Sequence, residues 1–260
     1  MKSFFRMCYP YILWIAVFII APMLMLLIYA FTKPGNGVIT FEITLEHFSK
    51  FFSDPTYMHV LFNSLWIALL TTVVCLLIGY PAALFIANQS ERKQMLMVLL
   101  LTLPMWINML LKTYAWKGIL DLLPSMPAWL KVLIGMVYDF LPFMIIQIHT
   151  AISKMDPNLL VAAHDLGANR LKSFLKVTLP LSVPGIISGV TLVFLPAVSS
   201  FVIPNILGEG EFNLVGNLIE IYFLQAHDWN FGSAISLIMA LIIIASMWLT
   251  KKIDRNAEEV

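Results

Sequence analysis

The sequence predicts an all-α integral membrane protein with six transmembrane helices, and three observations carry that prediction. Hydrophobic residues make up 60% of the chain and charged residues 12%, where soluble domains average about 45–50% and about 25%. Mean hydropathy is +0.87 over 260 residues, and one water-soluble domain of that size leaves too much of its chain exposed to hide such a composition. The apolar residues also run in long blocks, not in the short alternating segments of a spanning β-barrel. Residues 1–260 therefore read as a single membrane-spanning domain.

A helix crossing about 30 Å of hydrocarbon takes about 20 mostly apolar residues. Six blocks meet that need: Tyr9–Phe31, Val60–Ala87, Met95–Leu111, Val132–Ile152, Val183–Ile203 and Ser233–Thr250. The opening "MKSFFRMCYP" has the positive start of a secretion signal. The apolar run behind it is too long and has no A-x-A-like exit, so it is expected to stay as the first span. Six spans put both termini on one side, and lysine and arginine mark the cytoplasmic side. Eleven of the sixteen (Lys2, Arg6, Arg92, Lys93, Lys154, Arg170, Lys172, Lys176, Lys251, Lys252 and Arg255) fall on the side of the termini. Both ends are therefore expected in the cytoplasm. Pro22, Pro81, Pro104, Pro142 and Pro196 lie within the spans, each removing a backbone donor and favouring a kink.

Between the fourth and fifth blocks stands "MDPNLLVAAHDLGANRLKSFLKVTLP", which carries its own start and stop signals. Asp156 is placed to cap a helix opening on Pro157, and Gly167 to end it in a left-handed turn. About ten residues, or about 15 Å, cannot cross a bilayer. Asn169 then caps a second helix with Leu171, Phe174, Leu175 and Leu179 on one face, which Pro180 and Pro184 are expected to break. Two readings are open for this glycine elbow. One is an amphipathic hairpin on anionic lipid, favoured by Arg170, Lys172 and Lys176. The other is a docking surface, favoured by Ala162 and Ala163, which let a second backbone approach.

The spacing Ala162-Ala163, Gly167, then Val177 and Leu179-Pro180 resembles the EAA loop of permease subunits of ABC importers, whose short helix inserts into a cleft of a cytoplasmic ATPase. Val161 stands where that family has a leading glutamate, and Asp165 is the nearest acid to take its place. The resemblance gives the ATPase-coupling set as Ala162, Ala163, Asp165, Gly167, Leu179 and Pro180 within a cytoplasmic coupling loop, 153–180. Further stretches, among them "LIGYPAALFIA", "LPAVSSFVIPNILGEG" and "GNLIEIYFLQAHDWNFGSA", are similar to the first permease subunit of spermidine/putrescine importers. That similarity covers nearly the whole chain. It implies a type I ABC importer permease fold, a second homologous permease, two copies of an ABC ATPase, an extracytoplasmic polyamine-binding protein, and alternating access driven by ATP.

No catalytic residue, cofactor or metal is expected in the chain itself. It has no G-x-x-x-x-G-K-[ST] loop, so ATP hydrolysis is expected on a partner. Its histidines (His47, His59, His149, His164 and His227) have no metal-ligand spacing, and no G-x-S-x-G elbow marks a nucleophile. Cys8 and Cys75 lie far apart without a C-x-x-C and read as packing residues. A net charge of +1 without blocks of like charge offers nucleic acid no surface.

The candidate substrate pathway is acidic. Glu209, Glu211, Glu220 and Asp228 stand between the fifth and sixth blocks with no lysine or arginine among them, and such charges near a channel mouth concentrate cations. The alternative is ordinary solvated loop charge. Asp139 sits within a span, where a carboxylate costs about 2.5–3.5 kcal/mol and usually faces a cavity or a partner. It reads either as a countercharge for an ammonium group or as a structural hydrogen-bonding group. Tyr222 and Trp229 offer cation–π faces or interfacial anchors. Two rival functions stand beside polyamine import: the same machine with a metal ion, sulfate or an amino acid as cargo, and a secondary transporter, which commonly shows internal repeats. No such repeat is evident here.

Overall fold

The computed structural model describes residues 10–33, 42–123 and 125–258, with side chains described as far as residue 252. Lys2, Arg6, Cys8 and Tyr9 lie outside the described residues, as does the side chain of Arg255. Among the described residues, helices supply all regular structure apart from one isolated bridge between Thr32 and Ile43. In chain order they are α1 (Pro10–Ala30), α2 (Glu46–Ser53), α3 (Pro55–Ala87), α4 (Glu91–Trp106), α5 (Met109–Leu120), α6 (Ala128–Ser153), α7 (Pro157–Asp165), α8 (Arg170–Val198), α9 (Val202–Leu207), α10 (Val215–Glu220) and α11 (Trp229–Glu258). Five are long and apolar enough to cross a membrane, and the bent pair of α4 and α5 makes a sixth when counted as one span.

The third block departs from the straight span expected at Met95–Leu111. The chain bends by 91° between α4 and α5. Pro104 lies inside α4 and does not cause the bend. The turn falls at Ile107, which is extended, and at Asn108, whose side chain accepts the Leu110 N–H at 2.9 Å and starts a new helix. An asparagine cap outweighs a run of apolar side chains because it satisfies donors that a helix start leaves orphaned. The fifth block also ends early, at Val198 rather than Ile203, and a short α9 follows.

In both α1 and α8 a π turn stands just ahead of a proline. A π-helical turn spans Ala16–Ile20 ahead of Pro22, and another spans Phe174–Thr178 ahead of Pro180. In each, a backbone N–H reaches back five residues: Ala21 to Ala16, and Leu179 to Phe174. The wider turn makes room for the ring without breaking the helix. Pro180 and Pro184 therefore do not terminate the second elbow helix, which is instead the first part of a 29-residue α8. Ser173 and Thr178 are buried, whereas Leu171 and Leu175 of the expected apolar face are exposed and Phe174 and Leu179 half-buried.

The chain forms two compact units. In the first (Met1–Leu61 and Val215–Ile242), the Asn230 amide donates to the carbonyls of Tyr29 at 3.0 Å and Thr32 at 2.8 Å, closing the end of α1. His47 Nε2 also lies 3.1 Å from the Thr32 carbonyl, and Phe51 and Phe231 are fully buried. In the second (Phe62–Leu214 and Ile243–Val260), α6 and α8 pack along a seam of small residues. A side chain at Gly185 would strike Ala151 and come 2.9 Å from the Gln147 carbonyl, and one at Gly189 would stand 2.6 Å from Met144 Sδ. This G-x-x-x-G spacing lets backbones approach, which is how helices associate when lipid removes the hydrophobic drive. Across the same unit, Tyr80 of α3 shares a buried 2.8 Å hydrogen bond with Ser182 of α8.

Candidate functional site

The elbow has the local geometry that its sequence signals require. Asp156 accepts the Asn158 N–H at 2.9 Å, with Pro157 at the first helical position. Gly167, at φ +80, ends α7. The Gly167 N–H donates to His164 and the Ala168 N–H to Ala163, at 2.9 and 3.0 Å, the paired closure of a Schellman motif. Asn169 then caps α8 by accepting the Lys172 N–H at 2.9 Å. Caps thus define both sides of the turn between α7 and α8, and no residue of α7 is buried.

Ala162, Asp165 and Gly167 are exposed and Ala163 is half-buried, so these four coupling candidates lie together on one small protrusion. Exposed apolar side chains surround them: Leu159, Val161 and Leu166, the last at 88%. Leu179 and Pro180 lie further on, in α8 just after the π turn. The base of the elbow is tied to α3, where Phe174 meets the edge of the Tyr80 ring at 5.7 Å. A cavity of about 900 Å³ lies under the elbow, lined by Gln94, Asp156, His164, Arg170, Ser173 and others.

The pathway candidates divide between the two units. In the second unit, Asp139 is nearly buried and paired with Lys112 of α5, the two side chains being 14% and 10% exposed. Glu209 pairs with Lys117, which also lies 3.4 Å from Asp121, and Lys131 lies 3.3 Å from Asp121 and 3.9 Å from Glu209. The acidic loop has no basic residue in its own sequence, yet folding brings Lys117 and Lys131 to Glu209. Glu211 is exposed nearby in the chain. In the first unit, Asp228 caps α11 by accepting the Phe231 N–H at 3.0 Å. The Tyr222 and Tyr57 hydroxyls share a 2.6 Å hydrogen bond. Trp229 packs on Tyr29 and Phe223, and at Glu220 α10 runs on into a π turn, Ile221–Gln225, that holds Tyr222. Burial is the main reason the Tyr222 phenol titrates above its usual range.

Three residues to which sequence reading gave no site role make contacts with these candidates: Lys112, Lys117 and Lys50. The first two read only as loop lysines in the orientation tally, because their partners lie 27 and 92 residues away. No local pattern encodes such pairings. Lys50 lies over two aromatic rings contributed from a distant part of the chain.

Comparison with known proteins gives one consistent result. A family model described as "binding-protein-dependent transport system inner membrane component" matches residues 2–259. The spermidine/putrescine transport system permease protein PotB of Haemophilus influenzae is 38% identical, over 94% of this chain and 93% of its own length. The protein of the same name from Escherichia coli is 35% identical, over 93% and 97%. Among solved structures, a bacterial ABC transporter that imports the acidic polysaccharide alginate aligns with a TM-score of 0.76 at 17% identity, covering 98% of this chain and 96% of that one. The methionine ABC transporter MetNI, in inward-facing form, aligns with a TM-score of 0.64 at 13% identity, over 77% and 95%. At those identities the two structures speak for the fold alone.

Proposed function

The chain belongs to the family of binding-protein-dependent transport system inner membrane components, and from that membership we propose that it is the membrane-spanning subunit of an ATP-driven polyamine importer. It forms half of the translocation pathway with a second, homologous permease, and both of its termini lie in the cytoplasm. The observation that carries the cargo is the 38% identity to a spermidine/putrescine permease over 94% of the chain. A likeness of that extent spans the spans, the loops and the elbow together.

The elbow is the coupling element in this reading. A protrusion with no buried residue of its own and with Leu166 almost fully exposed has an apolar surface that is covered only in an assembly. A cytoplasmic ATPase dimer supplies the cover. Closure of the ATPases on ATP moves the two protrusions, and the caps at Asp156, Gly167 and Asn169 transmit the movement because they hold α7 rigidly to α8. Shape carries the docking, with Asp165 as the acid nearest to Val161. An extracytoplasmic binding protein delivers the cation to the opposite face.

Copurification and reconstitution test this directly. The full-length chain is expected to bring down an ATPase and a second six-span protein, and the complex in vesicles to accumulate radiolabelled spermidine only with ATP and the binding protein present. Competition by unlabelled spermidine and putrescine, but not by sulfate or amino acids, is the expected profile. Transport by this chain alone, without an ATPase, would overturn the reading in favour of a secondary carrier.

A further inference from the structure

In the first unit, the ammonium of Lys50 lies over a wall of aromatic rings. Three rings build the place. Phe231 is fully buried at the start of α11, Tyr222 meets it edge-on at 4.7 Å, and Tyr57 packs against it at 5.2 Å. The 2.6 Å hydrogen bond between Tyr57 and Tyr222 fixes both phenols, and Phe51 stacks nearly parallel on Tyr57 at 5.8 Å to hold it from behind. Over this wall lies Lys50 of α2, its Nζ 4.3 Å from the Phe231 ring centre and 6.0 Å from that of Tyr222. Both distances lie within reach of a cation–π attraction.

Two carboxylates stand close in the chain to these residues, Asp54 four positions after Lys50 and Asp228 three before Phe231. Asp54 accepts the Thr56 N–H at 2.8 Å. Thr56 chiefly, and the Lys50 charge to a lesser degree, hold Asp54 below the usual carboxylate range. Asp228 is held at the head of α11 by the Phe231 N–H. Burial first and the Tyr57 hydrogen bond second push the Tyr222 phenol up, and the charges of Asp228 and Asp54 act in the same direction to a lesser degree. Aromatic faces with anionic groups at their margin are the chemistry that recognises an organic ammonium.

We propose that Tyr57, Tyr222 and Phe231, flanked by Asp54 and Asp228, form a binding site for a primary alkylammonium ion, and that Lys50 occupies it as a tethered surrogate which an incoming diamine displaces. A lysine side chain is a four-carbon arm ending in ammonium, chemically one end of 1,4-diaminobutane. The tether brings one charge only, whereas a free diamine brings a second, for which a flanking carboxylate is in place. Lys50 thereby keeps the aromatic wall covered when no substrate is present and weakens binding of any amine that must compete with it. The identification of polyamine as cargo rests on the function proposed above; the site itself does not, and a plain diamine tests it.

The experiment is equilibrium binding of radiolabelled 1,4-diaminobutane to the purified full-length complex, without ATP and without the extracytoplasmic binding protein. Lys50→Met keeps the aliphatic stem and removes the charge, so affinity is expected to rise about twofold to thirtyfold, the range of one cation–π contact. Lys50→Arg, which keeps a cation over the rings, is expected to bind as weakly as the wild type, and adding Tyr222→Leu to Lys50→Met to abolish the gain. Should Lys50→Met fail to fold, Lys50→Gln carries the same expectation. A purely structural lysine would lower thermal stability and leave amine affinity unchanged or reduced, and either of those results overturns the site. A wild-type complex that transports no polyamine overturns the cargo instead, whatever the binding result.

Discussion

Gly167 and Gly185 lie eighteen positions apart in the chain and are glycines for opposite reasons. At Gly167 a side chain would meet nothing within 4 Å, but φ is +80, a conformation that costs other residues about 1–2 kcal/mol. At Gly185 the backbone is ordinary helix and the space is missing, with Ala151 and the Gln147 carbonyl against the position. The elbow's turn is therefore defined by backbone geometry, whereas the α6–α8 seam is defined by contact.

Five substitutions break or sharpen that contrast. The largest effect is expected from Gly185→Val, whose added methyls meet backbone as well as side chain. It should cost about 3 kcal/mol, the upper end of overpacking penalties, read as a lower midpoint of thermal unfolding in detergent. A neutral outcome would mean that the seam is not close-packed. Gly167→Val should cost about 1–2 kcal/mol and, more tellingly, uncouple ATP hydrolysis from uptake. Gly167→Asn should retain coupling, because asparagine tolerates the left-handed region; equal defects in both would turn the cause from backbone to size. Asp156→Ala removes a helix cap and should cost about 1 kcal/mol, together with a partial loss of coupling measured as transport per ATP hydrolysed. The smallest effect on stability belongs to Leu166→Gln, since the side chain touches little of its own chain. Its expected consequence is lost copurification of the ATPase at unchanged melting temperature, and retained copurification would remove Leu166 from the docking surface.

The acidic loop supplies a further contrast, between charge counted along the sequence and charge counted in space. Neutralising Glu209 removes the partner of Lys117 and a neighbour of Lys131, so its effect should appear as local destabilisation. Neutralising Glu211, which is exposed, should leave stability unchanged, and only a shift in the concentration dependence of spermidine uptake would give it a place on the pathway.

Much of the elbow was legible in the sequence because caps are local. Asp156, Gly167 and Asn169 each act on backbone groups two to five residues away, and the structure has each where the pattern puts it. The second half of the elbow was misread because proline's effect depends on whether the helix can widen. Pro180 is absorbed by a π turn that no periodicity announces. The third span was misread for a related reason: hydropathy sums over side chains, and the bend at Asn108 is a hydrogen-bonding decision by one of them.

The sequence by itself determined that this chain lives in lipid, roughly where it crosses, and where its glycine elbow begins and turns, since those follow from apolar length and short-range backbone bonding. Only the tertiary structure decided that Asp139 answers to Lys112, Glu209 to Lys117, and Lys50 to Phe231. Charges and rings act through space over a few ångströms, and which of them meet is fixed by helix packing between segments tens to hundreds of residues apart.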